Sequence, residues 1–589
     1  MSPLIAQAAV VAALASVVAA SPTPLGAGVG AGAGTAQHLV SRDTLSGLCT
    51  TSHLSPLVSA FTDISTVTYH TASITANVVS NHTTAANAGG PMWRTVTGVE
   101  FCNVTLTMSH DNLNDTILLN YWLPDPGSYK NRWLTLGGGG WSVDGSGSLD
   151  AGPAYGAASG ATDGGFGGAG SQLSATLLSK VNGTIEWSRL ESFAYQAIHE
   201  MTVTGKELAR GFYNISADQL KSYYLGCSEG GREGHMSTQR FPDDFDGVVA
   251  AAPAFYFPVH QLAQGWPNIA MAQHSHWPST CAFQTIQKAL IAECDPLDGL
   301  KDGVISRSDL CKFDASSSVG KTFTNCSSTA GAPTSGTISQ ADADVYNAIH
   351  HGAFDSNGDQ IFWTYRNGTT LTVEASVKWD NDTQSWGPDQ SHFFNTYYQN
   401  LVLKNTVAPT LNYSDFTVDQ VYDLMLQGIQ DYGSWTETTW PDLSQFQARG
   451  GKLVHWHGEQ DTNLYPEASA HFYEKVKKAM FPGSSGYDQL QEFYRFFLVP
   501  GAAHCAISSA EPHGPFPQNA LQQVIAWVEN GTAPDHLDGT TESGSSTQSQ
   551  ICMWPTRPSW DSDGNFCCVD DGHTPEEFIH PLNGWKVDY

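Results

Sequence analysis

The segment from Lys221 to Ala254, KSYYLGCSEGGREGHMSTQRFPDDFDGVVAAAPA, decides the fold of this chain. Its pattern predicts a strand, a sharp turn, a helix and a second strand, in that order. Gly226-Cys227-Ser228-Glu229-Gly230 within it is a G-x-S-x-G pentapeptide, whose glycines permit a tight strand-to-helix turn that exposes the serine hydroxyl. The first free N–H groups of the helix point to the same place, where an oxyanion can bind. Ser228 is therefore a candidate nucleophile, with a plain turn serine as the alternative.

A glycine-rich loop precedes this segment. Arg132 to Leu136, RWLTL, predicts a short strand that runs into four glycines, Gly137 to Gly140. Without side chains, such a loop can present backbone N–H groups to a ligand. We therefore expect the oxyanion donors to be the N–H of Glu229 and that of Gly138 or Gly139. A flexible glycine turn is the alternative interpretation.

The acid and the base are sought after the serine, because in α/β-hydrolases both follow it, each on a loop behind a late strand. Asp461 follows the predicted strand KLVHWHG, and His504 follows YRFFLVPGAA. Four other histidines compete with His504: His455 and His457 lie in the first of these strands or at its end, His513 lies on a proline-rich loop, and His471 also remains a candidate. The order of the segments predicts the α/β class, with an α/β-hydrolase doubly wound sheet and a large inserted lid.

The domain boundaries follow from changes in composition. Residues 1–20 resemble a signal peptide and residues 21–44 form a flexible Gly/Ala-rich lead, so we expect secretion to the extracellular space. Residues 45–254 and 448–589 are predicted to form the catalytic domain. Residues 255–447 lack a clear alternation of strands and helices and are predicted to form the lid.

Charge and composition exclude some functions. The formal charge of −30 on 589 residues repels phosphate backbones and anionic membranes, so no nucleic-acid or membrane partner is expected. After the leader, no apolar run approaches the length of a membrane span. Ten Asn-x-Ser/Thr sequons agree with passage through a glycosylating pathway. The oligomeric state does not follow from the sequence.

Eleven cysteines in a secreted chain predict disulfides with one thiol left over. Their spacing suggests local pairs: Cys281 with Cys294, Cys311 with Cys326, and Cys552 with either Cys567 or Cys568.

The stretch from Asp295 to Val304, DPLDGLKDGV, lies in the predicted lid and holds three carboxylates and two glycines. Carboxylate and carbonyl oxygens are the ligands that a hard cation such as Ca²⁺ prefers. The spacing does not match an EF-hand, and an ordinary Asp-Gly double turn is the alternative.

Three motifs together resemble the tannase and feruloyl esterase family of carboxylic ester hydrolases: Gly226 to Arg232 (GCSEGGR), His457 to Asp461 (HGEQD) and Pro500 to Cys505 (PGAAHC). The resemblance extends from about Cys49 to the C-terminus. It departs from the family in Pro500-Gly-Ala-Ala before the histidine, where Met-Gly is commoner.

The resemblance implies specific roles. Ser228 would be the nucleophile, Asp461 the acid that orients the histidine, and His504 the general base. It further implies disulfides between Cys227 and Cys505 and between Cys49 and Cys102. It also implies a structural calcium site in the lid, with Asp295, Asp298, Asp302 and the carbonyls of Leu300 and Val304 as ligands.

These expectations favour a secreted serine esterase that forms an acyl-enzyme on a phenolic ester. A non-catalytic hydrolase-like protein that binds polyphenol or glycan, and a serine peptidase, are the alternatives. Among esters we expect the galloyl esters of tannins, with feruloyl or related hydroxycinnamoyl esters second, because the acidic residues Glu229 and Glu233 after the serine resemble tannases. The tryptophans of the predicted lid also favour an aromatic acid.

Overall fold

One nine-stranded mixed sheet forms the centre of the fold. Its strands, in chain order, are β1 (Val67–His82), β2 (Val99–His110), β3 (Ile117–Pro124), β4 (Arg132–Leu136), β5 (Ala157–Thr162), β6 (Lys221–Cys227), β7 (Gly247–Ala251), β8 (Lys452–Gly458) and β9 (Tyr494–Val499). They lie in the order β1-β2-β3-β5-β4-β6-β7-β8-β9. The pairs from β1 to β5 are antiparallel, and those from β5 to β9 are parallel.

The computed structural model describes residues 44–85, 92–167, 183–326, 331–389, 392–405, 411–483, 486–570 and 572. The predicted signal peptide (1–20) lies outside these residues, as does the predicted lead (21–44) apart from Thr44. The described residues belong to one compact unit, which includes the predicted lid. No described helix is long and apolar enough to cross a membrane.

Sixteen α-helices are seen in the described ranges, and nine lie outside the insertion that separates β7 from β8. These nine are α1 (Leu45–Leu48), α2 (Thr51–Ser59), α3 (Ala151–Ala154), α4 (Trp187–Glu191), α5 (Ala197–Tyr213), α6 (Glu229–Arg240), α14 (Pro466–Met480), α15 (Gly486–Leu490) and α16 (Ala520–Asn530). The other seven belong to the insertion: α7 (Phe257–Ala263), α8 (Trp266–Gln273), α9 (Thr280–Cys294), α10 (Gln340–His351), α11 (His392–Tyr397), α12 (Val418–Thr436) and α13 (Ser444–Ala448).

Both faces of the sheet are covered, as in a doubly wound fold. Neighbouring residues of β4 show this, because successive side chains of a strand point to opposite faces. Trp133 packs in a core with Met201 and Leu208 of α5, whereas Leu134 packs in a second core with Leu521 of α16. The central strands β6, β7 and β8 are buried along almost their whole length, as parallel strands between two helical layers must be.

The insertion is held against the sheet by a shared apolar core. Val248 and Ala250 of β7 belong to the same cluster as Phe257 of α7, Ile286 of α9 and Met425 of α12. The insertion also contains two short hairpins, and three more follow β9; their strands are Thr322–Phe323 with Gly336–Thr337, Val377–Asp380 with Ser385–Pro388, Ala502–Ala503 with Ala506–Ile507, His536–Asp538 with Gln550–Cys552, and Arg557–Trp560 with Phe566–Val569.

Five disulfides join described cysteines, and two of the pairings that the spacing suggested are wrong. The bonds are Cys49–Cys102, Cys227–Cys505, Cys281–Cys326, Cys294–Cys311 and Cys552–Cys568. The pair Cys281–Cys294 fails because both residues lie on α9, where 13 residues of helix span about 20 Å. Cys311 therefore bonds to Cys294 instead of Cys326. Cys567 remains a free, exposed thiol.

Candidate active site

Ser228 lies on the predicted strand-to-helix turn between β6 and α6. Its φ of 67° and ψ of −122° place a non-glycine residue in a sparsely populated backbone region. The flanking glycines make this turn possible: a Cβ on Gly226 would lie 2.5 Å from Gly230 O, and one on Gly230 would lie 2.8 Å from Gly138 O. The turn thus requires glycine at both positions and directs the serine hydroxyl away from the sheet.

The structure brings the three predicted catalytic residues together. His504 Nε2 lies 2.8 Å from Ser228 Oγ, and His504 Nδ1 lies 2.8 Å from Asp461 Oδ2. Asp461 follows β8 and His504 follows β9, two neighbouring parallel strands whose carboxyl ends meet at the same edge of the sheet. This is the geometry of a nucleophile, a base and an orienting acid.

Asp461 is fully buried and held by several donors. Its Oδ1 accepts the N–H groups of Asn463 and Leu464, each at 2.8 Å. Burial works to raise the pKa of Asp461, but the charges and hydrogen bonds of His504 and His457 outweigh burial and hold this pKa below its usual value. The acid of the triad is therefore ionised over the whole physiological range.

The oxyanion prediction is only partly consistent with the geometry. The N–H of Glu229, the first residue of α6, makes no hydrogen bond with described residues outside its own helix. In contrast, Gly138 donates its N–H to Glu233 Oε2 at 3.0 Å, and Gly139 donates its N–H to Ser142 O at 2.9 Å. Neither glycine N–H is free, because the loop folds back on itself and on α6, and this corrects the prediction. Gly140 also lines the pocket, and its N–H has no acceptor among described residues.

A buried charged cluster packs next to the strand-to-helix turn that carries Ser228. Arg232 of α6 is fully buried; it donates to the carboxylate of Glu229 and to Ala194 O. Burial raises the pKa of Glu233 well above its usual value, and the charge of Glu229 raises it further. Glu233 Oε2 accepts both the Gly138 N–H and the Tyr224 hydroxyl, so this side chain fixes the glycine loop against α6. In the sequence these acids stand out only through the family resemblance, and nothing in it indicates that Glu233 supports the glycine loop.

A pocket of about 590 Å³ opens onto Ser228. Its apolar wall includes Trp93, Phe257 and Phe393, and its polar lining includes Asp144, His260, Gln261, Gln264 and Asn463. None of the seven tryptophans that the sequence placed in the lid is among the described lining residues; these are Trp266, Trp277, Trp363, Trp379, Trp386, Trp435 and Trp440. Trp266 and Trp363 pack in the core of the insertion instead. The prediction that these lid tryptophans favour an aromatic substrate is therefore wrong, because they do not line the pocket.

His260 is a pocket residue that the sequence did not reveal. It lies on α7, directly after the chain leaves β7, and is almost fully buried. Burial lowers the pKa of His260 to about 3, with only partial compensation from the charge of Asp461. Its ring is therefore neutral and offers one donor and one acceptor to a ligand.

The disulfide Cys227–Cys505 joins the residues next to the nucleophile and the base, as the resemblance implies. It connects positions that are 278 residues apart in the chain, with the whole insertion between them. Ser228 and His504 are thus covalently linked through their neighbours.

The stretch from Asp295 to Val304 forms a tight double turn. Asp295 Oδ1 accepts the N–H groups of Asp302 and Gly303, each at 3.0 Å, and Asp298 Oδ1 accepts the N–H of Leu300 at 2.8 Å. Asp298 Oδ2 is buried without a hydrogen-bond partner among described residues. Burial raises the pKa of Asp298 to about 6, and it also raises that of Asp302.

The buried, unpaired oxygen of Asp298, beside the carboxylate of Asp302, fits a hard cation with oxygen ligands. The described residues nevertheless include no group of three or more Asp, Glu, His or Cys side chains arranged to hold a metal ion. Backbone carbonyls, such as those of Leu300 and Val304, would have to complete the set.

The fold and the site define a class, a serine hydrolase of the α/β-hydrolase fold. The family profile described as "Tannase and feruloyl esterase" matches residues 102–574. The chain is 33% identical to the tannase of Aspergillus oryzae (strain ATCC 42149 / RIB 40), over 92% of this chain and 96% of that protein. The chain therefore belongs to the tannase and feruloyl esterase family and is a carboxylic ester hydrolase.

Two solved structures show the same relationship. The tannin acyl hydrolase from Aspergillus niger superposes with a TM-score of 0.87 and 37% identity, covering 92% of this chain and 98% of that one. The feruloyl esterase B from Aspergillus oryzae superposes with a TM-score of 0.66 and 27% identity, covering 88% of this chain and 100% of that one.

Proposed function

We propose that this esterase cleaves galloyl esters of tannins through an acyl-enzyme on Ser228. In the first step Ser228 Oγ attacks the ester carbonyl while His504 Nε2 takes the hydroxyl proton. The N–H of Glu229, together with that of Gly140, stabilises the oxyanion of the tetrahedral intermediate. His504 then returns the proton to the departing alcohol. A water molecule, activated by the same histidine, releases the acid and regenerates the free hydroxyl.

The observation that carries the proposal is the alignment of Ser228, His504 and Asp461 at 2.8 Å contacts beside a pocket with polar lining. A galloyl ring presents three hydroxyls, and neutral His260 with the side-chain amides of Gln261 and Gln264 supplies acceptors for them. A site that hydrogen-bonds hydroxyls discriminates strongly against a ring that lacks them, because its polar groups are then left unpaired. The higher structural similarity to the tannin acyl hydrolase supports the same assignment.

The test compares kcat/KM on methyl gallate and methyl ferulate with the same purified enzyme. We expect methyl gallate to be preferred at least about tenfold, the scale that one unpaired polar group produces. A preference for ferulate of tenfold or more would refute the galloyl assignment and leave the esterase mechanism intact. Feruloyl hydrolysis is the second candidate, because feruloyl esterase B shares the fold over 88% of this chain.

Two further properties belong to the same proposal. A calcium ion bound by Asp295, Asp298, Asp302 and the carbonyls of Leu300 and Val304 would neutralise the buried carboxylates and stabilise the insertion, without taking part in ester cleavage. Secretion to the extracellular space is supported by the five disulfides, which form and persist in oxidising compartments.

A further inference from the structure

A second buried histidine contacts the acid of the triad. His457 Nε2 lies 3.2 Å from Asp461 Oδ2, the same oxygen that His504 contacts. Both His457 and Asp461 have side chains with 0% exposure. Nε2 makes no regular hydrogen bond with described residues, although it lies this close to the Asp461 carboxylate. Contacts of this kind in an unliganded enzyme often tighten when the substrate is bound.

His457 is the last member of a buried polar relay. His455 and His457 are two residues apart on β8, so their rings lie on the same face of the strand. Ser469 of α14 contacts both rings, with Oγ at 2.9 Å from His455 Nε2 and 2.7 Å from His457 Nδ1. The relay begins at Tyr494 of β9, whose hydroxyl lies 2.8 Å from His455 Nδ1.

The proton positions along this relay follow from counting donors. A serine hydroxyl has one hydrogen, so Ser469 donates to one ring and accepts from the other. With neutral rings, the opposite order would leave a bare nitrogen lone pair of His457 against the Asp461 carboxylate, which is unfavourable in a buried site. The consistent order is donation from Tyr494 to His455, from His455 to Ser469, and from Ser469 to His457 Nδ1. The hydrogen of His457 is then on Nε2 and faces Asp461.

Two buried groups have pKa values that agree with this order. Burial lowers the pKa of His455 well below its usual value, and the neighbouring His235 and His457 lower it further, so this ring stays neutral. Burial raises the pKa of Tyr494, so its hydroxyl keeps the hydrogen that starts the relay.

We propose that His457 is a positioning residue for catalysis: its Nε2–H, fixed by Ser469, holds and stabilises the ionised carboxylate of Asp461 that orients His504. The proposal rests on the triad assigned above. Besides His504 and His457, the groups that face Asp461 are His260 from α7 and Tyr365 from the insertion. His260 is neutral, and burial raises the pKa of Tyr365 well above its usual value, so neither places a charge beside this carboxylate.

The experiment uses two amide substitutions that differ in reach. In His457→Gln the amide nitrogen can occupy the position of Nε2 and still face Asp461. In His457→Asn the shorter amide matches the position of Nδ1, so it keeps the Ser469 contact and loses the one to Asp461. For the full-length enzyme and each variant, kcat/KM is measured against pH on whichever of methyl gallate or methyl ferulate the wild type hydrolyses faster, and thermal unfolding is measured in parallel.

We expect His457→Asn to lower kcat/KM about ten- to a hundredfold, the value of one hydrogen bond to a charged group. Without the donor the carboxylate binds protons more strongly and draws the His504 proton more strongly, so the acid limb of the pH profile moves up by about one unit. His457→Gln should recover most of the rate and the wild-type acid limb. Ser469→Ala is a smaller change and should move the acid limb of the pH profile in the same direction. This variant replaces His457→Asn in the test if the asparagine variant does not fold.

A purely structural role predicts a different result. Both His457 variants would then lower the unfolding temperature equally, with kcat/KM within about threefold of wild type and an unmoved acid limb, and the proposal would be overturned. Equal losses in the glutamine and asparagine variants would also overturn it. Asp461→Asn separates this failure from a failure of the triad: if that variant stays active, the triad assignment itself is wrong.

Discussion

The bond between Cys227 and Cys505 provides the sharpest test of how this site is held together. In the double variant Cys227→Ala/Cys505→Ala the bond is removed without leaving a reactive thiol. The residues beside these two cysteines are Ser228 and His504, whose reacting atoms are 2.8 Å apart. The variant should therefore affect both the stability of the fold and the alignment of nucleophile and base.

The loss of stability can be worked from the length of the closed loop. A disulfide restricts the unfolded chain more as the loop grows, and a separation of 278 residues corresponds to about 5.6 kcal/mol at 25 °C. A unit of about 550 residues has an unfolding entropy near 1.1 kcal/mol/K, so the unfolding temperature should fall by about 5 °C. Measured losses often lie below the loop estimate, which makes this value an upper bound.

The matched control is Cys49→Ala/Cys102→Ala. That disulfide closes 53 residues, which corresponds to about 4.2 kcal/mol and a fall of about 4 °C. It joins the N-terminal segment before α2 to β2 and contacts neither Ser228 nor His504. The two variants should thus be destabilised to a similar degree, and only the first should lose activity beyond about twofold.

For the Cys227/Cys505 variant we expect kcat/KM to fall about ten- to a hundredfold at 25 °C, because a displacement of about 1 Å costs on the order of a hundredfold. The assay is steady-state hydrolysis of methyl gallate well below the unfolding temperature, with calorimetry on the same samples. Peptide mapping of the wild type without reduction should recover Cys227 linked to Cys505. If the variant keeps full kcat/KM while its unfolding temperature falls, the bond stabilises the fold only, and the reasoning about alignment is refuted.

Three further outcomes are expected. Ser228→Ala should lower turnover by several orders of magnitude with folding unchanged, since the triad acts as a unit; more than about a hundredth of the wild-type rate in the purified variant would contradict the assignment. Exhaustive chelation should lower the unfolding temperature more than the initial rate, and less so below about pH 6, where Asp298 is protonated; an unchanged unfolding temperature together with no calcium by elemental analysis would leave only the Asp-Gly turn. Burial raises the pKa of Glu467 to about 7, so the folded state binds more protons than the unfolded state from about pH 4.5 to 7. The free energy of unfolding therefore falls as pH rises through that window, by up to about 3 kcal/mol. Glu467→Gln should flatten this pH dependence, measured by urea unfolding, and an unaltered dependence would contradict the pKa shift.

The strand-to-helix turn at Ser228 and the positions of Asp461 and His504 behind late strands could be predicted, because each depends on local sequence. Two glycines around Ser228 determine the turn through contacts of a few ångströms, and Asp461 and His504 each follow an apolar strand. The predicted insertion, residues 255–447, lies within the segment between Ala251 of β7 and Lys452 of β8. Signals of this kind are read from neighbouring residues, so a single sequence contains them.

The errors share one cause, which is that they depend on contacts between distant segments. Spacing along the chain favoured Cys281 with Cys294, but one helix holds these residues about 20 Å apart. The glycine loop offered several N–H groups, and only its packing against Glu233 shows that the N–H of Gly138 is already used. The sequence offers His457 as a competing base, whereas the structure places its Nε2 3.2 Å from the carboxylate of Asp461.

One buried amide joins three of these distant segments. Gln460, next to Asp461, donates its Nε2–H to Ile305 O at 3.2 Å, directly after the Asp295–Val304 turn, and its Oε1 accepts the N–H of Gly501 at 2.5 Å, in the loop that leads to His504. The turn in the insertion, the acid and the base are therefore connected by two hydrogen bonds. Both hydrogen bonds persist while the turn stays folded. A turn that is less stable but still folded should therefore leave the rate of ester hydrolysis at low temperature unchanged. The alignment of Asp461 and His504 should instead fail when the turn melts, which is why chelation is expected to act on the unfolding temperature before it acts on the initial rate.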